Sequence, residues 1–421
     1  MARRGLRFFG LLRLGQRRAL FAWGLLDQGL SSATTFTFTV IAARNLGPAG
    51  LGTVALGYAA FLIGVGFERS LIIGPLLTRV QTDARSAPEA LRAAVSTTAA
   101  GGLVLAVLAL AVGLTLTGAG ARGMLIFSPW IVPALIQALL RAWLYRVKRG
   151  GAATAASGLW LVTMLGAVAA GLHSSDWQIT AAWGLGGCAA LALAAACTPH
   201  VGVARPRAAF EWFFREAWRL GMWLSASSTL YVGASYLRAV GTSSILGPAA
   251  LGGYRAIETA FAPTSLIGPA VGNPGLPTMR EAVERRESGA WALAVKISLF
   301  SSGLVLAYVI ILVLGRNLVF RLFGSGFRQY EYLILPIAVG QLVSSFAAGF
   351  SILLVAARRV RETSLAIVVY SCLMLALALP LAATRGLAAA AWGIAIAEFP
   401  PLVMVVIFAR RALREEGISK L

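Results

Sequence analysis

The sequence predicts an all-α integral membrane protein of about twelve transmembrane helices, in two six-helix lobes repeated in the same orientation. Three observations predict it. Of the 421 residues, 58% are hydrophobic and 13% charged, and the apolar residues come in runs of about 20, the length that crosses a bilayer core as helix. The formal charge of +21 falls largely on alternate connections, the pattern of segments retained on the cytoplasmic side rather than of a nucleic-acid surface. A short segment also occurs twice. Leu46-Gly47-Pro48-Ala49-Gly50-Leu51-Gly52 returns as Leu246-Gly247-Pro248-Ala249-Ala250-Leu251-Gly252, each copy joins two apolar stretches, and Trp23 and Trp223 stand upstream at the same offset. Self-similarity of this kind marks a duplicated unit, an arrangement found in transporters.

The elements follow in order. Residues 1–19 are basic with interspersed Leu and Phe, as in Arg7-Phe8-Phe9, and form either an amphipathic segment on the inner leaflet or a basic tail. They are not expected to be a signal peptide, because a full-length span carrying Asp27 and Gln28 comes next. The spans are placed at 20–42, 53–77, 93–117, 124–145, 152–172, 178–197, 217–239, 254–276, 290–314, 332–357, 363–383 and 386–409. With the amino terminus inside, the cytoplasmic segments and their flanks collect 27 Lys and Arg. These include Arg85, Arg141, Lys148, Arg286, Arg358 and Lys420, and the outer segments hold only 8. Both termini are therefore expected in the cytoplasm, in a multi-pass protein of the cytoplasmic (inner) cell membrane.

Six spans per half bring the second copy in with the orientation of the first. The lobes are therefore residues 1–200 (spans 1–6) and 201–421 (spans 7–12), related by a pseudo-two-fold along the membrane normal. In the repeated loop Gly permits the reversal after the first span of each half, Pro opens the next helix, and small residues let helices pack closely. The loop reads as an outer hairpin. Cys188, Cys197 and Cys372 all fall in spans, so no disulfide framework is expected.

The segment Arg44 to Leu56, echoed by Leu246 to Tyr254, resembles the loop of the polysaccharide-exporter branch of the multidrug/oligosaccharidyl-lipid/polysaccharide (MOP) flippase superfamily. Family loops often carry an acidic residue where Ala49 and Ala249 stand. The twelve spans, the length and the cytoplasmic termini resemble the O-antigen-type flippases of that family along the whole chain. The resemblance implies a MATE-like fold and translocation of a polyprenyl-pyrophosphate-linked oligosaccharide for cell-surface polysaccharide synthesis. Its implied partners are the lipid-linked glycan, membrane lipids, and glycan polymerase and glycosyltransferases. No cofactor, metal or nucleic acid is implied.

Such a substrate needs a polar, cationic cavity between the lobes, so charge inside the spans is the feature to read. Each such charge costs about 2.5 to 3.5 kcal/mol at a helix centre and calls for a partner or a wet surface. Asp27 in span 1 and Glu68 and Arg69 in span 2 lie at similar depth, and an Asp27 to Arg69 contact would unite the two helices. They form either a structural ion pair or a cavity cluster in which Arg69 attracts phosphate and Asp27 or Glu68 binds a proton or sodium ion. Arg255 and Glu258 sit three apart on one face of span 8 and pair with each other in the simplest reading. Arg238 and Lys296 either snorkel to water or join Arg69 and Arg255 on the pyrophosphate. Arg141 reads as a flank. Glu398 lies near the middle of span 12 and is either a helix-to-helix hydrogen-bonding group or, with Asp27, Glu68 and Glu258, a candidate for ion coupling. Span 8 carries Pro263, Gly268, Pro269, Asn273, Pro274, Gly275 and Pro277, and is expected to be broken repeatedly; Gly74-Pro75 in span 2 is a weaker version.

No Gly-Lys-Ser/Thr loop, metal-spaced histidine pair or Asp-x-Asp occurs, and the longest outer loop, about 315–331, is short for an active site. The expectation is a non-enzyme. Two alternatives remain: a drug or cation antiporter of the same superfamily, and a membrane glycan polymerase or ligase.

Overall fold

The computed structural model describes residues 2–79, 87–285 and 289–415, with the side chains of residues 1–21, 78–79, 216, 219–228, 269–270 and 273–274 outside that description. The expected amphipathic face of the first 19 residues, and the loop residues Arg85, Arg286 and Lys420, therefore lie outside the described residues. Among the described residues every regular element is helical. In chain order these are α1 (Ala2–Glu68), α2 (Gly74–Arg79), α3 (Ala87–Thr115), α4 (Ala119–Phe127), α5 (Ile131–Arg146), α6 (Gly150–Ala169), α7 (Asp176–Ala196) and α8 (Pro206–Trp212). There follow α9 (Trp218–Leu246), α10 (Pro248–Ala260), α11 (Ile267–Glu284), α12 (Ala290–Leu314), α13 (Arg316–Phe323), α14 (Ile334–Ala356), α15 (Val360–Ala397) and α16 (Phe399–Glu415).

Eight stretches among the described residues are long and apolar enough to cross a membrane, and two of them, Ala22–Leu77 and Val360–Glu415, are 56 residues long. A helix of that length would span about 84 Å at 1.5 Å per residue, far more than a bilayer core of about 30 Å. Each is in fact two crossings joined at one left-handed glycine, Gly47 (φ 65°, ψ −172°) in α1 and Gly386 (φ 80°, ψ −170°) in α15. The more polar α9 and the α10–α11 pair, joined to α9 at Gly247 (φ 86°), supply the two crossings that complete twelve. Only a residue without Cβ holds such a conformation without strain, and Pro48 and Pro248 then start the next helix at the position where a missing N–H costs nothing.

The backbone also repeats in the second half outside the repeated loop. The α5–α6 turn places Lys148 at φ 61° with Arg149 N–H donating to the Leu144 carbonyl at 2.8 Å. The α14–α15 turn places Arg358 at φ 60° with Arg359 N–H donating to Leu354 at 2.8 Å. Both are left-handed helix stops that satisfy a terminal carbonyl. The third crossing of each half, α3 and α12, turns long apolar side chains outward, among them Leu103, Val104, Leu108, Leu299, Phe300 and Ile311. In water such faces would be a liability; in hydrocarbon they are the expected surface.

Two breaks have local causes. In α1 the helix widens into a π turn at Arg69–Ile73, where Gly74 N–H reaches back to the Arg69 carbonyl just ahead of Pro75. In span 8 there is one interruption, a 3-10 turn at Ala262–Leu266 containing Pro263, and the helix then runs on through Pro269, Pro274 and Pro277. The repeated breakage expected of that span does not occur. The carbonyl that the turn frees at Ala260 accepts a hydrogen bond from the Tyr308 hydroxyl at 2.6 Å, so a neighbouring helix restores what the backbone lost.

The chain forms two compact units. The first comprises Met1–Phe38, Gly64–Thr117 and Met124–Ser225. Its core packs Leu91, Leu139, Leu140, Trp143 and Leu144 against Ala153, Ala156, Ala190 and Ala194 of α6 and α7. Gly184 and Gly186 let α7 approach the indoles of Trp130 and Trp160, and Trp160 Nε1–H donates to the Trp183 carbonyl at 2.9 Å. The second comprises Thr39–Ile63, Gly118–Gly123 and Ala226–Leu421. There Met279, Phe350, Leu353 and Leu354 pack on Ala290, Ala294 and Ala409, and Gly349 rests against the Ala294 carbonyl. Small residues at these crossings let van der Waals packing stand in for the hydrophobic drive that lipid does not supply.

Candidate functional site

Intramembrane charge gathers at three places, one in the first unit and two in the second. In the first unit Asp27 is 6% exposed. Its Oδ1 accepts from the Ser157 hydroxyl at 2.5 Å, and its Oδ2 is 3.8 Å from Arg141 Nη1. Arg141 donates from the same nitrogen to Ser31 Oγ at 2.5 Å. The expected Asp27 to Arg69 contact is corrected: Asp27 sits on the face of α1 turned to α5 and α6, while Arg69 lies at the π turn with its side chain exposed. Arg141, expected to be a flank, is the actual counter-ion. Glu68, beside Arg69 in sequence, is 3% exposed, and neither carboxylate oxygen has a hydrogen-bond partner among the described residues. Thr98 and Arg141 are the polar groups that act on it. A buried acid with so little polar support is costly and is retained in few places without a use.

In the second unit two arginines converge on one acid. Arg255 Nη1 donates to Glu258 Oε2 at 2.7 Å, the i, i+3 pair expected from the sequence. Arg238, on α9, brings Nη2 to 3.8 Å from Glu258 Oε1. Arg238 does not snorkel: it is 8% exposed, its guanidinium lies 4.7 Å from the Tyr254 ring centroid, and its Nε–H has no partner among the described residues. Arg255 lies 5.6 Å from the Tyr58 ring. Aromatic faces hold each guanidinium without neutralising it, so the cluster keeps a net charge of one and donors in a fork suited to phosphate. Lys296 is exposed near the start of α12, at the opposite end of the crossing from the Arg238 end of α9, and does not join this cluster.

The third place is an open cavity of about 380 Å³ lined by residues of α9, α14, α15 and α16. Glu398 lines it, with Tyr231, Tyr370, Ser344, Ser351 and Thr363. Glu398 sits where α15 stops and α16 begins, because Pro400 and Pro401 have no N–H to give the carbonyls of Ile396 and Ala397. Tyr370 is the hydroxyl that acts on Glu398, and the Tyr231 and Tyr370 rings lie 6.0 Å apart. Among the described residues no group of His, Cys, Asp and Glu could hold a metal ion.

Twelve helical crossings in two sets of six, with charge buried inside them, define a polytopic membrane protein. The chain has the fold of the MOP superfamily transporters. It is similar to an inward-facing multidrug resistance MATE family transporter of that superfamily, at TM-score 0.63 and 14% identity over 96% of both chains. It is similar to the lipid II flippase MurJ in an inward closed conformation, at TM-score 0.71 and 11% identity over 94% of this chain and 89% of that one. A MOP superfamily transporter from Pyrococcus furiosus, described as having a binding pocket of reverse polarity, matches at TM-score 0.60 and 13% identity over 94% and 95% of the chains. These neighbours are transporters and a flippase, not enzymes. No protein-family profile and no curated protein matches the sequence.

Proposed function

We propose that the chain is a flippase that carries a polyprenyl-pyrophosphate-linked oligosaccharide across the cytoplasmic membrane by alternating access, for cell-surface polysaccharide synthesis. The observation that carries this reading is the pair Arg238 and Arg255 sharing the single acid Glu258 inside the membrane-spanning part of the chain. Two guanidinium groups on one carboxylate leave one positive charge uncompensated. At a separation of about 4 Å and an effective dielectric of about 20, a unit charge interacts with another by about 4 kcal/mol. That energy attracts a diphosphate and repels a cationic drug, so it favours the flippase over the antiporter.

In this mechanism the diphosphate takes donors from Arg238 and Arg255, and the Arg238 Nε–H has no partner among the described residues. The polyprenyl chain stays in lipid. Arg69 and Lys296, both exposed, act earlier or later on the path, as point attractors for the anion. Of the four acids, Asp27 and Glu258 are held in ion pairs, whereas Glu68 and Glu398 have none among the described residues and are the groups free to change charge during coupling. Two tandem lobes, 1–200 and 201–421, supply the alternation. Glycosyltransferases and a polymerase acting on the same lipid-linked glycan are the fitting partners.

The test is pyrophosphate-dependent transport by protein reconstituted in vesicles with a polyprenyl-pyrophosphate oligosaccharide. Arg238→Gln with Arg255→Gln should abolish movement at unchanged protein abundance, and the Lys pair should restore part of it. Full transport by the Gln pair overturns the reading.

A further inference from the structure

Serine and threonine in a membrane helix ordinarily return their hydroxyl to the carbonyl four residues back. Thr34, Thr35, Ser70, Thr97, Ser371 and Thr384 do so here, at 2.5 to 3.2 Å. The hydroxyls lining the Glu398 cavity do not. Ser344, Ser351 and Thr363 make no hydrogen bond to any described residue, and the Thr363 oxygen is itself buried. Ser344, Ser351 and Thr363 line the same space as Tyr231, Tyr370 and Glu398, together with Ala347, Ala348 and Ala366.

We propose that this cavity is a monosaccharide subsite, holding the sugar residue that adjoins the diphosphate of the transported lipid. The inference rests on the flippase reading and adds to it where the glycan begins. Its chemistry is that of a polyol: three hydroxyls and two phenols give and accept hydrogen bonds, a carboxylate accepts from two sugar hydroxyls at once, and tyrosine rings offer apolar faces to the C–H side of a pyranose. A volume of about 380 Å³ lies at the lower end of the range of small-molecule sites and is far more than a single bare ion fills. Continuity with the anion site comes from α9: Tyr231 and Arg238 are seven residues apart, two turns on one helix face, which puts them about 10 Å apart along the axis. A diphosphate held by Arg238 therefore presents its attached sugar toward Tyr231 and the cavity beyond.

The experiment is saturation-transfer NMR on the full-length protein in lipid nanodiscs, so that no detergent sugar is present. The probes, each used alone, are a panel of methyl glucosides, galactosides and N-acetylglucosaminides, tetraphenylphosphonium, and inorganic pyrophosphate. At least one glycoside should show transfer that falls fivefold or more in Ala347→Phe, which fills the space, and in Ser351→Ala with Thr363→Val, which removes two hydroxyls without adding bulk. The second variant keeps the test open should the first fail to fold. Absence of transfer to every glycoside, or equal transfer in wild type and the Ser351→Ala/Thr363→Val variant, overturns the subsite. Tetraphenylphosphonium binding that Ala347→Phe abolishes also overturns it, in favour of an organic-cation site. Loss of pyrophosphate binding with glycoside binding intact would instead count against the anion site and the flippase reading, leaving the sugar subsite standing.

Discussion

Gly52 and Gly252 occupy equivalent places in the two copies of the repeated loop and pack reciprocally on each other's strand of chain. A Cβ placed on Gly52 would fall 1.9 Å from the carbonyl oxygen of Pro248, and one placed on Gly252 would fall 1.9 Å from that of Pro48. The obstruction is backbone, which cannot swing aside as a side-chain tip can. Overpacking in a well-packed core costs about 1 to 3 kcal/mol. Gly52→Ala and Gly252→Ala should each lower the thermal midpoint by several degrees, while Gly233→Ala, with nothing within 4 Å, should leave it unchanged. Equal midpoints for all three would show that the reciprocal contact does not form.

The Asp27 and Arg141 pair supports a second prediction. Asp27 also holds Ser157, and Arg141 also holds Ser31, so Arg141→Gln leaves the buried Asp27 carboxylate with an incomplete shell, whereas Asp27→Asn leaves an arginine that is partly exposed. Arg141→Gln should therefore cost more than Asp27→Asn, and removing both should cost less than the sum. A double-mutant cycle of Asp27→Asn and Arg141→Gln, read by thermal unfolding, should give a coupling of more than 1 kcal/mol. Additive losses would place the two charges in independent environments.

Glu258→Gln separates structure from binding in the arginine cluster. It leaves Arg238 and Arg255 facing each other with no carboxylate between them, so the midpoint should drop. Added pyrophosphate should then restore it, and raise it by more than it raises the wild type, because the anion replaces the missing charge. A midpoint indifferent to pyrophosphate in both proteins would remove the cluster from substrate binding.

Glu68→Gln keeps the shape and a hydrogen-bonding edge but cannot exchange a proton. If Glu68 serves only packing, the amide should be tolerated in every assay. If it loads a cation, movement in vesicles should lose its response to an imposed proton or sodium gradient while abundance and midpoint stay at wild-type values. A full gradient response in Glu68→Gln would exclude it as the coupling group.

Topology is checked by single cysteines. Gly118, Ser174 and Ser325 should react with an impermeant reagent from outside, and Ser86 and Ser288 should not. Inverted reactivity would reverse the orientation drawn from the arginine distribution.

Local information settled what the sequence could show about the site. The Arg255 and Glu258 pair was visible because both belong to one helix and three residues always share a face. Gly47 and Gly247 were visible because a left-handed reversal before proline tolerates almost nothing else. Arg141 was misread as a flank because its partner lies 114 positions away, at Asp27. The proline-rich span 8 was misread in the other direction: Pro263 broke the helix, yet the backbone ran on through three later prolines.

By itself the sequence determined the membrane class, the twelve crossings and the repeated glycine-proline loop, because apolar run length and glycine-proline punctuation act residue by residue. Only the tertiary structure decided which charges meet. It set Arg238 on Glu258 and Tyr254, buried Glu68 with neither carboxylate oxygen in an ion pair, and gathered Ser344, Ser351 and Thr363 around the space beside Glu398. Those outcomes depend on which helix faces which, and in lipid that is fixed by the fit of small residues and polar groups between helices rather than by the apolar pattern, which is nearly the same on every side.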